Sequence, residues 1–393
     1  LASNTCFDAY VQRDRGGSGK SGWFGPITFT TLCSPSQKLS GTYTINNSLP
    51  PSATNFTSFG AVESILNACG ILGPVTFNVG SGTYNEQMEL INVPGISATN
   101  TITFQADPAN TSPAEVVFAA SASAENFVFR FTDMSYVTVR GLTLTATGTS
   151  YSKVIDMDGR GEYITIEENT LNGSFSPSSV SSHNYDIISN NTGAANIYNH
   201  CIIRKNEIHG GTYCIYLYGI SSELETGNVV DSNVIIDHVY SAISMNYQEN
   251  LQVRGNTINS PGTSATTYGI YSQYGQHINI VGNNLDIKAV TTGYGIYLDN
   301  DDGSAADPNL VANNMVSVLD NSGTTYGIYA YRQDTTWIYH NSVLVNSTSA
   351  TGGRALYINK TSTEGSDLQV VNNSFVNSGA GFAVEVASNA SSN

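Results

Sequence analysis

The residues best placed to do chemistry are tyrosines that return at a fixed interval. Tyr268-Gly-Ile-Tyr271, Tyr294-Gly-Ile-Tyr297 and Tyr326-Gly-Ile-Tyr329 repeat one phrase, with looser copies at Cys214-Ile-Tyr216 and Arg354-Ala-Leu-Tyr357. If the Ile or Leu of each phrase points inward, two-residue alternation turns Tyr216, Tyr271, Tyr297, Tyr329 and Tyr357 outward, with Tyr331 on the same face. Such a row could bind sugar rings or a partner protein, because an exposed apolar stripe often marks an interaction site. Equally, stacked rings support each other, at roughly 0.2–1 kcal/mol per cross-strand pair.

The charged residues are fewer. Asp299-Asn-Asp301-Asp302-Gly303 crowds carboxylates into one stretch, and Asp299, Asp301 and Asp302 could chelate Ca²⁺. Their spacing is not that of an EF-hand loop, and turns favour Asp, Asn and Gly in any case. The same cluster offers the paired carboxylates a glycosidase needs. Arg204, Lys205, Arg254, Lys288, Arg332 and Arg354 could supply the base of a lyase, but they are scattered without a motif. The histidines His183, His200, His209, His238, His277 and His340 show no metal spacing, and Asp237-His238 is a weak candidate for an acid/base pair that reads more simply as a turn. No catalytic residue is assigned.

What positions these residues is a repeat. The markers Ile215, Ile243, Ile270, Ile296, Ile328, Leu356 and Val384 are separated by 28, 27, 26, 32, 28 and 28 residues. A second marker keeps pace half a period away, at Asn206, Asn233, Asn256, Asn283, Asn313, Asn341 and Asn372. Two interlocked phrases at one period predict a solenoid. Each phrase alternates with period two, is rich in Val, Ile, Tyr and Thr, and ends at Gly, Asn, Ser or Asp, so the coils are built of strands. Coils of about 28 residues with two or three strands fit a parallel β-helix. From about Gly73 onward the chain resembles the right-handed parallel β-helix family that includes pectate lyases, pectin methylesterases and many surface proteins. The resemblance implies an all-β fold of about ten coils and a structural ladder for the seven Asn markers.

Ahead of the repeat, Cys6-Phe-Asp-Ala-Tyr-Val-Gln-Arg13 and Ile27-Thr-Phe-Thr-Thr31 alternate like strands, joined through Ser21-Gly-Trp23-Phe-Gly-Pro26. Residues 1–34 resemble the last two strands of a fibronectin type III domain. A lone strand pair is marginal, so the resemblance implies either a divided domain or completion by a neighbouring chain. Residues 35–57 read as a Pro/Ser/Asn-rich linker. Over residues 58–72, Phe59, Val62, Leu66 and Cys69 share one helical face between Ser58 as N-cap and Gly70 as stop, a helix suited to covering the open end of a solenoid. The β-helix then spans 73–393. Gly82-Thr-Tyr-Asn-Glu86 resembles the opening of pectin methylesterases, but their catalytic Gln and two Asp have no matching positions. The Gly-His-Gly and Arg-x-Lys motifs of β-helix polygalacturonases are also missing.

Of 393 residues only 12% are charged, and 31 acidic against 15 basic side chains give a net charge of −16. Such a surface repels nucleic acid. No apolar run reaches the length of a membrane span. Five cysteines form no zinc-type cluster, and their pairing is open. These features lead to a non-catalytic extracellular or cell-surface protein, structural or adhesive, with no cofactor unless Ca²⁺. Its expected partners are copies of itself, other domains of a longer chain, or glycans. The alternatives are a secreted polysaccharide lyase and a carbohydrate-binding solenoid using the tyrosine row.

Overall fold

Short alternating runs of Val, Ile and Thr make the strands, and residues with positive φ turn the chain between them. The computed structural model describes residues 5–30, 33–174, 182–190, 196–320, 323–349, 352–360 and 367–387. It is a right-handed parallel β-solenoid of about twelve turns. Three long sheets form its sides. One has eleven strands from Met88–Ile91 to Gly381–Val386 and carries the tyrosine phrases. A second has thirteen, beginning with Asn55–Phe56 and Leu39–Ile45 and ending at Leu368–Val371. A third has eleven, from Gly82–Tyr84 to Ser374–Asn377.

Register runs unbroken through the apolar markers. Ile215, Ile243, Ile270, Ile296, Ile328, Leu356 and Val384 pair in succession. The first six are fully buried, while Val384, on the last described coil, is 47% exposed. The one long step holds the segment from Asn300 to Pro308 between the strands Thr292–Asp299 and Asn309–Ala312.

The asparagine ladder lies at the corner between the second and third sheets. Asn206 Nδ2 donates to Asn233 Oδ1 at 3.0 Å, Asn233 to Asn256 at 3.0 Å, and Asn256 to Asn283 at 2.9 Å. It continues from Asn283 to Asn314 at 3.0 Å, Asn314 to Asn341 at 2.9 Å and Asn341 to Asn373 at 2.9 Å. The rungs expected at Asn313 and Asn372 are therefore corrected to Asn314 and Asn373. Each ladder residue follows one with positive φ, such as Lys205, Ser232 or Gly282, and Asn313 (φ 55°) and Asn372 (φ 57°) hold that preceding place. Asn tolerates the left-handed region better than most residues, so in an Asn-Asn pair both positions look alike in sequence.

The N-terminal elements differ in part from expectation. The strands Cys6–Val11 and Phe24–Thr30 pair antiparallel as a separate two-stranded sheet, Phe7 opposite Phe29. Leu39–Ile45, inside the stretch read as a linker, pairs in parallel with Ile71–Val79 and so begins the solenoid. Its Gly41-Thr-Tyr-Thr-Ile45 piece is strand-like in sequence, and Leu39 and Ile45 are its buried anchors. The helix Phe59–Cys69 forms as the sequence predicts: Ser58 Oγ accepts from Ala61 N, and Phe59, Val62, Leu66 and Cys69 are buried. Phe59 packs 5.4 Å from Tyr84 and 5.3 Å from Phe129, closing the first turns with aromatic side chains. Cys33 and Cys69 form a disulfide that ties the chain ahead of the solenoid to this helix.

Candidate functional site

The tyrosine phrase breaks strict alternation. In Tyr268-Gly269-Ile270-Tyr271 the two middle residues are both buried, and the flanking rings lie 5.4 Å apart on the same outer face. A Cβ on Gly269 would lie 2.6 Å from Gly295 O and from Leu285 Cδ2, so only glycine lets the third sheet approach here. Two columns result instead of one. Tyr268, Tyr294 and Tyr326 stack at 4.7 and 5.0 Å, within 8° of parallel. Beside them Tyr271, Tyr297, Tyr329 and Tyr357 follow at 5.1, 4.6 and 4.9 Å, with Tyr297 and Tyr329 stacked and the end pairs tilted by 35° and 46°. Tyr240 and Tyr213 extend the first column, and His183 stacks on Tyr213 at 4.6 Å.

Rings of the inner coils spend their faces on each other. What they turn outward is edges and hydroxyl groups, and Tyr271, Tyr297, Tyr329 and Tyr357 are half-buried. Burial pushes the Tyr271 and Tyr297 hydroxyls above their usual range, so they remain protonated donors. Tyr271 Oη donates to Asp299 Oδ2 at 3.2 Å, and Asn359 Nδ2 donates to Tyr329 Oη at 3.2 Å. Arg354 lies 5.5 Å over Tyr326 and 5.1 Å over Tyr357. Tyr331 sits 6.1 Å from Tyr329, under the Arg332 guanidinium. Tyr216 is placed differently: only 7% exposed, it is packed against His183, Tyr213 and Tyr218.

The three aspartates diverge. Asp299 accepts from Tyr271, Gln273 and Asn300 on the outer face. Asp301 points into the corner, fully buried, where Oδ1 accepts from Gly275 N at 2.7 Å and Ser272 Oγ at 3.0 Å. Its carboxyl is pushed up to about 8 by burial. Asp302 is exposed. Among the described residues no three His, Cys, Asp or Glu side chains are gathered to hold a metal ion, so the calcium expectation finds no support in this geometry.

The remaining candidates are occupied elsewhere. Arg204 pairs with Glu167 and Arg254 with Asp231. Asp237 is exposed at a left-handed turn while His238 is fully buried, where burial lowers its imidazole to about 4. Alternation hid Tyr268, Tyr294 and Tyr326 from the sequence reading, although the phrase itself contains them. It also missed Arg130 and Asp156, paired at 2.8 Å, whose separation of 26 residues is one repeat and would have signalled the contact.

Among solved structures, the chain is similar to the Dettilon tailspike protein (gp208), with TM-score 0.51 and 13% identity over 88% of this chain and 68% of that one. A rhamnogalacturonan lyase is similar with TM-score 0.48 and 12% identity, covering 85% and 87%. PfbA, a surface adhesin of Streptococcus pneumoniae, gives 0.43 and 12%, covering 84% and 89%. At 13% identity the likeness to the tailspike protein is one of fold. No curated protein sequence matches the chain. Residues 142–351 match the family model described as "Periplasmic copper-binding protein (NosD)". The residues present do not fit copper. Cys33 and Cys69 are joined, and Cys201 and Cys214 are buried thiols raised well above their usual range, with Cys214 donating to Gly210 O. His183 turns Nδ1 to Asp186, and no other metal-ligating group joins it among the described residues. Because the match spans more than half of the sequence, the chain belongs to the NosD family of right-handed parallel β-helix proteins.

Proposed function

We propose that the chain is a segment of a non-catalytic, exported adhesive protein, and that its tyrosine face binds a polysaccharide laid along the solenoid axis. The observation that carries this reading is the double tyrosine column, half-buried over three successive coils and continued in the fourth by Tyr357 beside Arg354. Ring edges and hydroxyl groups at a constant spacing match an extended chain of hydroxyl-bearing rings better than a compact ligand. Export is supported by the Cys33–Cys69 disulfide, since such bonds persist in oxidising compartments. A cell-surface address is the finer form of this proposal. The N-terminal strand pair fits it as a fibronectin-type element.

The test is retention on surfaces coated with a panel of neutral and acidic polysaccharides. Wild-type protein should be held by at least one, and the combined Tyr271→Ala, Tyr297→Ala, Tyr329→Ala variant released. Failure to bind any member of a broad panel removes the reading.

A further inference from the structure

A second site lies on the same sheet, at the other end of the tyrosine columns. The outer column of that sheet runs, in paired register, through Glu89, Arg130, Asp156, Ser189 and Tyr216. An outward position would normally be wet, yet Asp156 is fully buried. Chain from Ser123 to Phe127 and from Ser182 to Asp186 lies beside it and lines an open polar pocket of about 330 Å³. Its lining includes Ser123, Asn126, Arg130, Lys153, His183 and Asn184.

The lining is fixed in place. Lys153 Nζ lies 3.1 Å from Asp156 Oδ1, and Arg130 Nε donates to Asp156 Oδ2 at 2.8 Å. Arg130 also donates to Ala124 O and lies 4.0 Å over the Phe127 ring. Asn126, 4% exposed, accepts from Lys153 N and donates to Asn184 O, joining the two flanking segments. His183 is stacked on Tyr213, its Nδ1 3.1 Å from the buried Asp186. Lys153, 6% exposed, gives one of its three N–H groups to Asp156.

We propose that this cavity binds one or two sugar rings of a neutral carbohydrate. Donors (Lys153, Arg130, the two Asn amides) and acceptors (Asp158, the Asn carbonyls) line it together with the His183 ring. A hydroxyl is both donor and acceptor and satisfies either kind. An inorganic anion would meet Asp158 and Asp156, and a simple cation would meet Arg130 and Lys153. The volume is at the small end of ligand sites, roughly 300–1,000 Å³. The His183 ring, stacked on Tyr213, gives an apolar edge for a pyranose. The tyrosine face could fail as a binding surface and this pocket would still hold a sugar, since its own lining sets the ligand's class.

The experiment is saturation-transfer NMR of the full chain with free glucose, galactose, mannose, xylose and N-acetylglucosamine. At least one should show transfer from the wild-type protein. Ser123→Trp, which fills the cavity from an exposed position, or Asn184→Ala should weaken it at least about tenfold. The Tyr271/Tyr297/Tyr329→Ala variant should leave it unchanged. No transfer to any of the five sugars, or transfer unaltered in both pocket variants, overturns the proposal.

Discussion

Tyr297 lies face to face with Tyr329, ring centroids 4.6 Å apart and 5° from parallel, one coil above the other. Tyr297 also meets Tyr271 and Tyr294, at 5.1 and 5.2 Å. Aromatic pairs contribute about 0.5–1.5 kcal/mol each beyond area burial. Tyr297→Ala should therefore lower stability by about 1–4 kcal/mol, and Tyr297→Phe, which keeps the stack, by less than about 0.5 kcal/mol. Urea denaturation followed by circular dichroism measures both.

The corrected ladder makes a paired prediction. Asn314 Oδ1 accepts from Asn283 N and Nδ2, while Asn314 Nδ2 donates to Ile280 O and Asn341 Oδ1. Asn314→Ala leaves several buried groups without partners and should cost roughly 3–5 kcal/mol. Asn313→Gly, at the neighbouring left-handed position, should be nearly neutral. Equal losses at the two positions would place the rung wrongly.

Two buried carboxyls set a pH dependence. Burial pushes Asp301 up to about 8 and Glu225 up to about 7, well above ordinary carboxylates. Between the ordinary value and these raised ones the folded chain holds protons that the unfolded chain has lost. Stability therefore falls as pH rises from about 4 to 8, and is fullest on the acid side. Asp301→Asn keeps the acceptor for Gly275 N and Ser272 and should flatten that fall. Chemical denaturation at a series of pH values checks the slope; stability rising with pH over this window would contradict the assignment.

The Cys33–Cys69 bond closes a loop with a sequence separation of 36 residues. Reduction should destabilise the helix-capped end by about 2–4 kcal/mol. Hydrogen exchange should show the loss concentrated around residues 39–79, with coils beyond Tyr213 little affected, because solenoid turns support mainly their neighbours.

Much of this was legible in the sequence because a solenoid writes its register as a period. The column Ile215 to Leu356 and the helix face of Phe59, Val62 and Leu66 follow from spacing alone. The failures have physical causes. Strict alternation gave one tyrosine column, whereas Gly269 and its equivalents allow two inward residues in succession and so a second column. Tyr216 looked like its successors, but Ser244 occupies its column in the next coil, and Tyr213, Tyr218 and His183 cover the ring instead. The pocket at Arg130, Lys153 and His183 was hidden because the flanking segments interrupt the repeat and carry no motif.

On the proposed function, the tyrosine face contacts a glycan through hydroxyl groups and ring edges. Native gels cast with the soluble polysaccharide that retains wild-type protein test it most directly. Tyr271→Phe, Tyr297→Phe and Tyr329→Phe combined keep the stacks and remove the hydroxyls. This folded variant should run almost unretarded, with affinity reduced at least about tenfold. Retardation equal to wild type in both the Phe and the Ala triple variants would contradict it, and would leave the columns as a support of the solenoid alone.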